Sequence, residues 1–170
     1  MVWPFKKKMT VDYLASTVAD AIEENISVYY QAIKNHAVDN ISDQAELRLN
    51  SELWAVELSV LDIVLPMTDV PVEMARQLIP MLIVGYSPLD KNNYLKRAKY
   101  YSSTVKEGPA NEFAVRFSKA FVASSGITYE RQRSGVNKEA LEWAVGTVVV
   151  GSFQGLLDLI SNISKKYRIY

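Results

Sequence analysis

Val11, Leu14, Val18, Ile22, Ile26, Tyr29 and Ile33 follow one another at intervals of three or four residues. Such intervals line side chains along one face of an α-helix, whereas a half-buried strand needs every second residue. The pattern recurs over most of the 170-residue chain. One kind of element is therefore expected throughout, a rod that hides its apolar stripe against other rods.

Local signals divide the chain into segments. Thr10 is a good N-cap for a first helix reaching about Asn35. A second helix should run from Ser42 to Leu65, because Pro66 forbids continuation. Two apolar sectors lie on it, one of Leu47, Trp54, Leu58, Leu61 and Leu65, the other of Leu49, Val56, Val60 and Ile63. Two sectors require neighbours on two sides, which predicts a central helix. Asp69 and Pro71 open a third helix ending at Gly85, with Pro80 inside it as a kink or a break. Ser87-Pro88 opens a fourth, stopped by Gly108-Pro109. Pro109 opens a fifth to Gly126, carrying Phe113, Phe117 and Phe121 at one-turn spacing and a Glu112–Arg116 pair. Residues 127–136 have no clear period and read as a loop, with Asn137 capping a last helix from Lys138 to Lys166.

The expected architecture is all-α: a compact bundle of five to six helices with a long C-terminal helix, the second and last helices at its centre. Residues 1–9 are expected to form a mobile basic and aromatic tail, and residues 10–170 a single helical domain. The chain has no Cys, which excludes disulfides and thiolate metal sites. The N-terminal segment lacks the apolar stretch of a signal peptide. The uncharged run from Trp143 to Leu157 is shorter than the ~20 residues of a membrane span. A soluble, cytoplasmic protein is the expectation.

Net charge is zero, but residues 1–90 hold six Lys/Arg against thirteen Asp/Glu, and residues 91–170 the reverse. An acidic face and a basic face could each steer a protein partner.

Few residues suggest chemistry. His36 is the single histidine, so no histidine pair can hold a metal. Helix-borne carboxylates at three- or four-residue spacing can bind a divalent cation, and Asp20, Glu23 and Glu24 of the first helix with Glu52 and Asp62 of the second are the candidates. Lys96, Arg97 and Lys99 interleave with Tyr94 and Tyr100, and Arg131 and Arg133 could extend that patch; cations for phosphates and rings for bases suit nucleic acid. Against this stands an isoelectric point of about 6.6. Ala144, Thr147, Gly151 and Gly155 form a small-residue seam on the last helix. Glycine costs about 1 kcal/mol there against alanine, so a close helix neighbour or a dimer contact is expected. Trp3 and Phe5 beside Lys6, Lys7 and Lys8 suit the interface of an anionic membrane.

The reading that follows is a non-catalytic interaction module, homodimeric through a helix face, with no cofactor. A metal-dependent enzyme using the carboxylates is the first alternative. Nucleic-acid or peripheral-membrane binding through the basic and aromatic patches is the second.

Overall fold

The computed structural model describes residues 6–35, 43–106, 112–124 and 138–170. Their fold is all-α, with six helices: α1 (Val11–Lys34), α2 (Asp43–Val64), α3 (Val72–Gly85), α4 (Lys91–Lys106), α5 (Phe113–Ser124) and the long α6 (Lys138–Lys166). A 3₁₀ turn at Leu65–Met67 follows α2, with Pro66 in its first turn. Two three-residue strands, β1 (Lys7–Met9) and β2 (Tyr167–Ile169), pair in parallel.

Each boundary has a local cause. The Thr10 side chain accepts a hydrogen bond from the Tyr13 N–H, satisfying one orphan donor of α1, and Asp12 sits in the first turn. The stripe from Leu14 to Ile33 is buried along its whole length. Asp90 opens α4 by accepting from the Asn93 N–H at 2.8 Å, so this helix starts after Pro88 and not at it. Pro71 precedes α3, which runs as one helix through Pro80 without breaking in two. Glu112 and Arg116 approach to 3.9 Å, as their spacing predicts.

The core is built around α2. Residues 52–61 are buried without interruption, and α2 packs against α1, α4, α5 and α6. The exception is Leu47, expected in one apolar sector but 69% exposed. The α6 side chains of Leu141, Val145, Val149, Leu156 and Ile160 enter the same core.

The N-terminal segment departs from expectation. Residues 6–9 are not a free tail: Met9 is buried, and the strand pairs in register with β2, Lys7 beside Tyr167, Lys8 beside Arg168 and Met9 beside Ile169. The ribbon is bonded onward, Tyr170 N–H donating to Met9 and Val11 N–H to Tyr170. Strands this short carry no periodicity, so burial of Met9 and Ile169 supplies the register.

Candidate interaction surface

The candidate carboxylates do not gather. Asp20, Glu23 and Glu24 on α1 and Asp62 on α2 are exposed, whereas Glu52 is buried. Among the described residues no three His, Asp or Glu side chains converge on a point. Asp62 instead borders a cleft of about 550 Å³ with Arg76 and Tyr94.

Two other groupings form inside the bundle. Glu52 receives hydrogen bonds from the Tyr101 and Ser124 hydroxyls, each at 2.7 Å, and lies 3.1 Å from the Arg97 guanidinium. The Tyr101 hydroxyl is held well above its ordinary value, first by burial and then by the Glu52 charge. Five residues on, Glu57 is fully buried. Its Oε2 accepts from Ser152 of α6 at 2.7 Å and from the Asn25 amide of α1 at 2.9 Å. Burial pushes the Glu57 carboxyl up to about 7, against the lowering effect of Ser152, Asn25 and the nearby Tyr29 hydroxyl. Oε1 of Glu57 and the hydroxyl of Tyr29 have no hydrogen-bond partner among the described residues. Burial also raises the Tyr29 phenol well above its ordinary value, with the Glu57 charge second. Glu57 is closed off from the surface in this conformation and ties α2 to α1 and α6.

The basic and tyrosine-rich helix is largely spoken for. Tyr94 and Tyr101 turn into the core, Arg97 serves Glu52, and the Tyr100 hydroxyl donates to the Ala120 carbonyl. Lys96 and Lys99 are exposed. These residues do not form one cationic platform. Arg131, Arg133 and His36 lie outside the described residues.

The small-residue seam does not pack inside the bundle. Ala144 is buried, but Thr147, Gly151 and Gly155 are exposed, and a side chain added at either glycine would meet nothing within 4 Å. Gly146, not part of the seam, is the glycine that sits close to a neighbour: an added Cβ would lie 3.4 Å from Ser118 Oγ of α5. Trp143 is 74% exposed and Val150 52% exposed on the same outward side of α6. They line a groove of about 530 Å³ between α5 and α6 together with Val115, Gly146 and Thr147, and Lys119, Glu139 and Glu142 line it too. Among the described residues one helix, Glu139–Lys166, is long and apolar enough to cross a membrane by length and composition. It packs against α1, α2 and α5, and 39% of its most apolar stretch is buried.

Trp3 and Phe5 lie outside the described residues, but Lys6, Lys7 and Lys8 are exposed on β1 and just before it. Periodicity does not single out Glu57, because nothing local separates a carboxylate facing two other helices from one facing water. No known family, curated protein or solved structure matches this chain.

Proposed function

We propose that this protein is a non-catalytic helical module that self-associates through the outward face of α6. The observation that carries the reading is the row Trp143, Thr147, Gly151 and Gly155, one residue per turn, all exposed on a helix whose other side is core. Glycines in a helix interior cost about 1 kcal/mol each against alanine. Among the described residues that cost has no return, since an added side-chain carbon at either glycine would meet nothing within 4 Å.

A second copy supplies the return. Residues four apart form a ridge inclined to the helix axis, and two such ridges pack at a crossing of about 50°. If two α6 helices cross antiparallel between Thr147 and Gly151, Trp143 of each copy lies over Gly155 of the other. That match is self-complementary, as a twofold interface requires. An exposed tryptophan facing a glycine space is also the pairing of large anchor and pocket that concentrates binding energy. Lys119, Glu139 and Glu142 give the groove both signs of charge. A cytoplasmic home is part of this reading and rests on the absence of cysteine.

Sedimentation velocity over a dilution series tests it, with the native chain and Gly155→Leu. The native chain should sediment as a concentration-dependent dimer and the variant as a folded monomer. A native chain that stays monomeric throughout, or a variant that dimerises equally, would overturn the proposal.

A further inference from the structure

The parallel pairing of β1 with β2 joins two basic segments that lie at opposite ends of the sequence. Lys6, Lys7 and Lys8 arrive from one side, and Lys165, Lys166 and Arg168 from the other. All six are exposed. Lys8 and Arg168 are register partners, so two like charges stand directly opposite one another, an arrangement that destabilises a strand pair. Among the described residues no carboxylate comes within ion-pair distance of any of the six. Some of this charge has work within the fold. Lys6 Nζ donates to the Ser164 carbonyl at 2.7 Å, Lys165 and Lys166 suit the negative end of α6, and Lys8 lies 5.9 Å from the Tyr170 ring centre. Lys7, Arg168 and the crowding of all six have no such account.

Apolar and aromatic side chains border the same end. The Val11 N–H bonds to Tyr170, so the start of α1 adjoins the ribbon. A cleft there is lined by Asp12 and Ala15 of α1 with Pro80 and Val84 of α3 and the adjoining Tyr86. Val84 is 88% exposed, and Tyr13, Tyr86 and Tyr170 are exposed too. Asp12 adds an acidic group to this cleft. Lysines and arginine beside exposed tyrosines and an aliphatic tip form the composition that favours a bilayer interface, rings at headgroup depth and cations on lipid phosphates.

We propose that this end of the bundle, built by β1, β2 and the last turn of α6, docks onto the surface of an anionic phospholipid bilayer. The face is distinct from the outward side of α6, so the two associations are independent. Each basic residue near an anionic bilayer contributes about a fivefold gain in partitioning, weakening with salt. The exposed rings at the edge add the apolar part that a nucleic-acid backbone would not use.

The test is flotation of the full chain with phosphatidylcholine vesicles, with and without about one-third phosphatidylserine, at low and high salt. Binding is expected only to the anionic vesicles and only at low salt. Lys8→Gln/Arg168→Gln should lower the partition coefficient roughly twentyfold with an unchanged circular dichroism spectrum. Lys7→Gln/Lys166→Gln should act the same way. Lys96→Gln/Lys99→Gln, an equal charge change farther along α4, should bind like the native chain. Absence of binding to anionic vesicles, equal binding to neutral ones, or an equal loss in the α4 variant would each overturn the proposal. Retention on single-stranded DNA without vesicle binding would overturn it in favour of a nucleic-acid partner.

Discussion

Ser152 of α6 donates a 2.7 Å hydrogen bond to Glu57 of α2, joining the two central helices through a carboxylate sealed from water. Asn25 of α1 completes the junction by donating to the same oxygen and to Ser152. The carboxyl titrates near 7 in the fold, against an ordinary 4.5. A raised acid pKa means the folded chain holds a proton that the unfolded chain has released. Between those two values stability therefore falls as pH rises, by about 3 kcal/mol in all for a shift of this size. Below 4.5 this contribution is constant, and above 7 its loss is complete. Glu57→Gln should flatten the dependence and leave the variant more stable than the native chain at pH 8. Urea denaturation from pH 5 to pH 8 measures both slopes. A native chain whose midpoint rises over that interval, with Glu57→Gln following in parallel, would contradict the assignment.

Glu52 differs because a cation answers it. Arg97 holds it from a half-buried position while Tyr101 and Ser124 fill its other oxygen. Removing one member of such a pair costs more than removing both charges together, since the survivor stays buried and uncompensated. Arg97→Met should cost about 1–3 kcal/mol, discounted for the solvent that reaches the guanidinium. Arg97→Met/Glu52→Gln should recover most of that loss, because the glutamine carbonyl still accepts from Tyr101 and Ser124. Chemical denaturation of the two variants supplies the comparison, and a double variant no better than the single would refute this account.

The helices were legible and the polar interior was not, for one physical reason. Burial of a stripe repeats every three or four residues, so the run from Val11 to Ile33, the start of α1 at Thr10 and the extent of α6 follow from spacing and caps. The fate of an isolated polar residue depends on what another helix brings to it. Glu52 and Asp62 share a side of α2 by spacing, yet one faces Tyr101 and Arg97 and the other faces water. Glu57 lies next to Val56 and Leu58 in sequence, but only α1 and α6 together make it a junction. The seam on α6 was legible as small residues. Whether it faced inward or outward was not, because a glycine has no side chain to declare a preference.

That ambiguity gives the glycines of α6 opposite sensitivities. Gly151 has open space around it within the single chain, so at a dilution that keeps the copies apart Gly151→Ala should raise stability by about 1 kcal/mol through helix propensity. In a chain of this size that is a gain of about 2–4 °C in Tm. Gly146 approaches Ser118 and the Ala114 carbonyl, so Gly146→Leu should overpack the α5–α6 contact and cost about 1–3 kcal/mol. Differential scanning calorimetry of the two variants measures the contrast. Equal effects of the same sign would mean that the two glycines do not lie on opposite, open and crowded, sides of α6.

The ribbon at the end of the bundle is the last feature with a measurable consequence. Met9 and Ile169 are buried register partners, and the backbone continues the pairing from Tyr170 to Met9 and from Val11 to Tyr170. Two three-residue strands are too short to hold together alone, so their stability has to come from packing Met9 and Ile169 against the core. Ile169→Ala should therefore cost about 2–4 kcal/mol of local stability. Because a ribbon at the chain ends can open without unfolding the helices, hydrogen exchange is more telling than Tm. In the native chain the Tyr170 and Val11 amides should exchange more slowly than exposed helix-terminal amides. In Ile169→Ala both should accelerate together, while amides in the middle of α2 keep their protection. Fast exchange at both positions in the native chain would show the ribbon to be open in solution, and with it would go the juxtaposition of Lys8 and Arg168.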